Sequence, residues 1–306
     1  MRPYWLGYVL PLACLVPTSA QAQSGTQTIT DGYVTFGYGA NFMHESPTGT
    51  DLTVDGLTGD GAIAFGIDGN VGTQIDVDLT ELASDAQRFR DKIVAAPTVH
   101  LFWRNDEYLI GGFAGLIHCN YMDLVGLGGE AHYFLNGRTT LAFVASYAEP
   151  TRLQDAIIRG LTSVQAEIRY FVMDDLRLEA SINYMNAYMT NYRVTDFWHM
   201  GNWGFGLAGE YIVPNTSLAV TLGWEKTRTA NYFGRYDIDG DTLKVGLRWT
   251  FDHDLLARDR RGASLGNVGK NFGGLFGRVL GSGELGRNGY GYSVVVDDSD
   301  DDDEDE

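Results

Sequence analysis

Thirteen ionisable residues are set among apolar and aromatic neighbours in a way that invites a chemical reading: Asp76, Asp78, His100, Glu130, His132, Glu167, Arg169, Arg177, Glu179, Glu210, Glu225, Lys244 and Arg248. Carboxylates interleaved with guanidiniums and imidazoles can do two things. In water they attract and sort ions; in a dry interior they must pair with one another, because an unpartnered buried charge is costly. Catalysis would need more than charge. The chain has no G-x-S-x-G elbow and no His-x-Ser-Asn grouping. His44-Glu45-Ser46 falls in an expected loop with no partner that spacing supplies. Gly204-Phe205-Gly206-Leu207-Ala208-Gly209 satisfies G-x-G-x-x-G, yet it sits within a strand pattern and opens no helix, so small residues against a crowded neighbour explain it better. Asp237-Ile238-Asp239-Gly240-Asp241 matches part of a calcium loop without its spacing or terminal Glu, and reads as a turn opening the last strand. No catalytic residue, metal ligand set or cofactor site is expected.

The elements that must position these charges are strands. From residue 31 the dominant period is two. Val34, Phe36, Tyr38, Ala40 and Phe42 alternate with Thr35, Gly37, Gly39 and Asn41; Val71 to Leu79, Leu176 to Tyr184, Trp203 to Tyr211, Leu218 to Trp224 and Leu243 to Phe251 repeat the pattern. About twelve strands fit, and in 108–118 either parity could be the apolar face. Tight turns are expected at Asp68-Gly69-Asn70, Arg104 to Glu107, Asn136-Gly137, Met173 to Asp175 and Pro214 to Thr216. They alternate with connections that read as longer, at 43–60, 80–92, 148–160, 187–201 and 226–241; the connection near Asn120 is short. Sorting loop lengths by parity is how membrane barrels divide their two ends. Aromatics fall near strand ends: Tyr33, Trp103, Tyr133, Tyr211, Trp249 and Phe251 on the short-turn side, and Phe42, Tyr147, Tyr184, Trp203 and Trp224 near the longer connections. Two interfacial girdles account for that placement.

Composition agrees. The 39 glycines and 12% aromatics with a mean hydropathy of -0.15 are too polar for a helical membrane protein and too rich in Gly and rings for an ordinary soluble domain. The expected fold is therefore all-β, a transmembrane antiparallel up-and-down β-barrel over 23–251. Residues 1–22 read as a signal peptide: Arg2, an apolar run from Tyr4 to Val16, and Ala20-Gln21-Ala22 before Gln23. Cys14 would leave with it, and Cys119, then the lone cysteine, is expected to be packed or lipid-facing. Residues 252–306 read as a Gly-rich, then acidic, disordered tail on the side of the termini. Its last ten residues hold nine acids, so the formal charge of -18 falls to -9 without them. This balance argues against a nucleic-acid partner.

The alternation ending in an aromatic at Leu243 to Phe251, with Asp175-Leu176-Arg177-Leu178-Glu179-Ala180 and Arg258-Asp259-Arg260-Arg261-Gly262-Ala263-Ser264, resembles the small porin-like outer-membrane proteins of Gram-negative bacteria. The resemblance spans about 31–264 and is architectural. It implies export to the outer membrane, insertion by the barrel-assembly machinery, outer-membrane lipid around the barrel and small polar solutes within it. The tail, running past the usual terminal aromatic, departs from the pattern and leaves room for a periplasmic partner. Placing the apolar parity outward sends the thirteen ionisable residues into the lumen. There they either line an aqueous pore, where seven acids against four bases favour cations weakly, or pair across a largely closed interior. The expected function is a porin-like channel; a structural or interaction barrel is the alternative, and an outer-membrane hydrolase the more distant one.

Overall fold

In the computed structural model the described residues are 28–265, apart from 47–48, 69, 85–91, 120–121, 152–157, 192–193, 233–235, 252–253 and 263. The expected signal peptide and everything past Leu265 lie outside them, as does the side chain of Cys119. Twelve strands follow one another: β1 (Thr28–Ser46), β2 (Thr50–Asp68), β3 (Val71–Ser84), β4 (Lys92–Arg104), β5 (Tyr108–Cys119), β6 (Met122–Asn136), β7 (Thr139–Pro150), β8 (Ile158–Met173), β9 (Leu176–Asn191), β10 (Val194–Ile212), β11 (Leu218–Tyr232) and β12 (Tyr236–Thr250). Each pairs antiparallel with its sequence neighbours, and β1 pairs with β12 from Tyr33↔Thr250 to Ser46↔Asp237, so the sheet closes on itself. One short helix, α1 (Leu255–Arg261), follows the last strand.

The period-two pattern becomes an inside and an outside. Phe36, Leu57, Ile75, Leu101, Ile110, Leu127, Phe143, Ile182, Leu222 and Leu247 stand exposed on the outer wall, where hydrocarbon takes the place of water. In β5 the even parity faces out: Tyr108, Ile110 and Leu116 are exposed while Leu109, Phe113 and Ile117 are buried. The girdles form much as the aromatic positions suggest. Tyr108 stacks on Tyr133 with centroids 5.1 Å apart, Trp249 meets Phe251 edge-on, and Tyr184 lies against Trp203 at the other end. Tyr33 is the exception. It is buried on the inner face, under the guanidinium of Arg248, 4.3 Å from the ring centroid.

Of the connections expected to be long, 43–60, 187–201 and 226–241 are mostly strand. β1 and β2 run on to leave only 47–49 between them, and β11 and β12 leave 233–235. Asp237 to Asp241, read as a turn from sequence, belongs to β12. The reason is physical. Above the lipid the outward positions turn polar, as at His44, Asp51, Asp55, Arg228 and Asp237, so the apolar alternation stops while the hydrogen-bond ladder continues. His44 pairs with Asp51 at 2.8 Å, and Arg228 with Asp237 at 3.0 Å. A strand of 19 residues such as β1, β2 or β10, tilted by about 45°, reaches about 45 Å at the usual rise, against an apolar band of about 25 Å. The wall therefore stands well clear of the membrane at the end away from the short turns.

This division of the outer wall predicts different tolerance to charge. Leu222→Arg, in the band, should destabilise the barrel by about 2–4 kcal/mol, whereas Thr53→Arg, above it, should cost less than about 1 kcal/mol. Reversible denaturant unfolding in lipid vesicles checks both.

Candidate functional site: the barrel interior

The inner parity gathers the charges predicted from sequence, and the structure sorts ten of the thirteen into three groups. In the first, His100 on β4 lies between two acids: its Nδ1 is 2.7 Å from Glu130 Oε1 on β6, and its Nε2 is 2.9 Å from Asp76 Oδ2 on β3. All three are almost wholly buried. Gln74 donates to Asp76 at 3.0 Å, and Phe113 covers the imidazole. Register brings these strands together with the right spacing, since β3 pairs with β4 and β5 lies between β4 and β6 with Gly111 opposite Glu130.

The second group centres on Glu210 of β10. It accepts from Arg177 of β9 at 3.0 Å, from Arg248 of β12 at 2.9 Å and from Arg258 of α1 at 2.7 Å. Arg248 also donates to Thr35 at 2.7 Å and lies 3.7 Å from Asp60. Glu179 sits 3.5 Å from Arg177. A carboxylate with three guanidiniums is fully engaged; loss of any one arginine leaves Glu210 with two, whereas loss of Glu210 removes the partner that all three share.

The third group joins the wall to the tail. Arg169 of β8 pairs with Glu167 and donates to Asp259 of α1 at 2.8 Å, and the hydroxyl of Thr140 donates to the same carboxylate at 2.6 Å. Burial alone would raise the Asp259 carboxyl, but Arg169 and the Thr140 hydroxyl override it and hold its pKa down at about 2. Arg104 donates to the Gly262 carbonyl at 3.2 Å and to Ser264 Oγ at 3.3 Å. His132 is buried here, with Nδ1 lacking a hydrogen-bond partner among the described residues.

Residues 254–262 and 264–265 thus lie in the mouth of the barrel at its short-turn end, where the sequence led us to expect the start of a disordered tail. Asp254 caps α1 by accepting from the Ala257 amide at 3.0 Å. Leu255 packs on Phe171, Ile212 and Ala219, and Leu265 on Phe102, Leu109 and Phe134. The two leucines therefore anchor on β8, β10 and β11 at one side and on β4, β5 and β6 at the other, so the segment spans the opening. Gln74 clamps its end, accepting from the Leu265 amide at 3.2 Å and donating to its carbonyl at 3.1 Å. Gly262 has to be small, because a Cβ there would overlap the Asp31 carboxylate.

Some interior charges are not sealed. Lys244, on the inner face of β12, keeps 59% of its side chain exposed, and Glu225 beside it, 3.9 Å away, keeps 21%. With Glu179, Ser181 and the small residues Gly206 and Gly223 they line an open recess. Gly206 lines this recess and Gly204 follows the same inner face of β10; side chains there would strike Ser181 and Asn183, which is the packing role expected for the G-x-G-x-x-G match. Asp78, the remaining predicted residue, lies half-buried near Thr80. Arg104, Thr140, Asp31, Asp60 and Gln74 also face inward, and α1 adds Arg258 and Asp259. Sequence reasoning passed over these. For α1 a signal existed: Asp254 as N-cap, a helix-forming run of Leu, Ala and Arg, and Gly262 as the stop.

No family model matches the chain, and no curated protein matches its sequence. Among solved structures, the COG4313 outer membrane channel from Pseudomonas putida F1 aligns at 11% identity over 78% of this chain and 100% of its own, with a TM-score of 0.58. The KdgM porin aligns at 9% identity over 70% of this chain and 99% of its own, with a TM-score of 0.43. The first of these likenesses shows the fold: a twelve-strand closed β-barrel of the type found in outer-membrane channels.

The sealed and open groups should respond differently to truncation. Glu130→Ala leaves His100 with half its partners and should destabilise by about 3–5 kcal/mol, while Lys244→Ala should change stability by less than about 1 kcal/mol. Unfolding midpoints of the two variants provide the comparison.

Proposed function

We propose that this chain is an outer-membrane, porin-like channel for passive passage of small polar solutes, with a weak preference for cations. The observation that carries the reading is the wetted recess: Lys244, Glu225 and Glu179 point inward yet keep contact with solvent, which an interior packed shut would not allow. Among the described residues of the wall, Asp31 and Asp60 join the seven acids found from sequence and Arg104 joins the four bases, giving nine acids against five bases. That excess favours cations where the charges meet water.

On this reading the short turns and α1 face the periplasm, and the tall wall faces outward. Residues 1–22 direct export and are removed, the barrel-assembly machinery reads the strand ending at Phe251, lipid surrounds the apolar band, and residues beyond 265 extend on the periplasmic side toward a partner. The segment 254–265 then marks a closed state of the channel.

Full-length protein in a planar bilayer should give discrete conductance steps, and Gly262→Val, which crowds Asp31 and displaces the segment, should raise the open fraction several-fold. Glu179→Gln with Glu225→Gln should move the reversal potential in a salt gradient toward zero selectivity. One observation favours a second reading, a structural barrel with a closed lumen: Leu255 of α1 and Leu265 beyond it anchor on opposite sides of the mouth. Bilayers that stay silent for both the parent and Gly262→Val would select that reading and overturn the channel.

A further inference from the structure

The geometry points to a carboxylate-binding site in the barrel mouth, which Asp259 of the chain's own tail occupies as a stand-in for the carboxylate of a solute. This rests on the channel reading and adds a ligand class and a means of opening to it.

The cradle is built from the wall alone. Arg169 Nη1 and the Thr140 hydroxyl bind the two oxygens of Asp259 separately, at 2.8 and 2.6 Å. That is how a guanidinium and a hydroxyl grip a free carboxylate. Thr140 is wholly buried and Arg169 nearly so, and both are fixed in strands. A second observation indicates that Asp259 does not exhaust the site. Arg104 Nε and His132 Nδ1 are both buried without a hydrogen-bond partner among the described residues, and both side chains are close enough to Asp259 to interact with it electrostatically. Buried polar atoms are rarely left unmet. A guanidinium N–H left over beside a bound carboxylate fits a ligand with more acceptor oxygens than one aspartate carries, and the ring nitrogen adds a second polar atom that such a ligand could meet.

The site also lies next to the open recess. Glu179 borders the open recess and is the register partner of Arg169 across the β8–β9 ladder. Because Asp259 and the solute carboxylate need the same two donors, they compete, and a ligand that binds only the vacated cradle shifts the segment toward release by its differential affinity. Arg258 on Glu210 and the two leucines still hold the segment, so release takes a concentrated solute.

The test uses full-length protein in lipid vesicles with Cys119→Ser and Leu265→Cys, and reads how fast a water-soluble maleimide labels the thiol introduced at position 265. Succinate at millimolar concentration should speed labelling several-fold, while succinamide and sodium chloride of equal ionic strength should not. Adding Asp259→Asn should give fast labelling without succinate, and Arg169→Gln should abolish the succinate effect. Parallel bilayer recordings of the unsubstituted protein should show an open fraction that rises with succinate. Labelling that ignores succinate, or responds equally to succinamide, overturns the proposal even where conductance is present, and the channel then stands without it. Labelling that responds while all bilayers stay silent supports the carboxylate site and removes the channel reading.

Discussion

From Tyr33 to Ser46, β1 pairs residue for residue with β12 between Thr250 and Asp237. Those hydrogen bonds leave no strand edge to satisfy, which is the condition for β-structure in a setting that offers the backbone no water. Closure also turns a sheet with two faces into a wall with an inside and an outside. Each residue is then committed to one or the other by its parity alone. Exposed Phe36, Tyr38 and Phe42 on β1 and exposed Leu243, Val245 and Leu247 on β12 share the outer face of that seam, while Thr35, Met43, Ile238 and Thr242 share the inner one. Every interior charge inherits its position, and its need for a partner, from this pairing.

The interior meets that need in two ways. On the β3–β6 side His100 lies between Asp76 and Glu130 in a region closed to solvent, and on the β9–β12 side Glu210 is surrounded by guanidiniums. Such networks are expensive to desolvate and are kept only when every member is engaged. Near Lys244 and Glu225 the ion pair is loose and water solvates the charges instead. The tail segment sits at the junction of the two regimes. Arg258 completes the Glu210 group and Asp259 completes the Arg169 group, so the wall and the segment neutralise each other.

Much of this was legible in sequence because a lipid-facing band and an alternating strand leave the same trace. The twelve strands, the tight turns and the inward parity of residues such as Glu130 and Arg169 follow from period two. Where the trace fails, the setting has changed. Asp237, Asp239 and Asp241 continue β12 above the lipid, where outward residues no longer need to be apolar. Tyr33 looked like a girdle residue by type, yet its parity puts it inside beneath Arg248. The pairing of Asp76, His100 and Glu130 across strands needs the register, which no single run of residues contains. The short helix was obscured by the glycine-rich and acidic chain that follows it, although its caps are plain in Asp254 and Gly262.

The clamp of Gln74 on Leu265 carries a mechanical meaning. Among the described attachments of the segment, the one nearest its C-terminal end is this pair of hydrogen bonds and one buried leucine. The Arg104, Arg169 and Glu210 attachments come after it, strung along the backbone from Ser264 back to Arg258. Loaded from that end, the attachments break one after another, as a zipper does. A push on α1 from inside the lumen would have to break them together. By its described attachments the segment is therefore weak to a pull on its C-terminal end and strong against pressure from within.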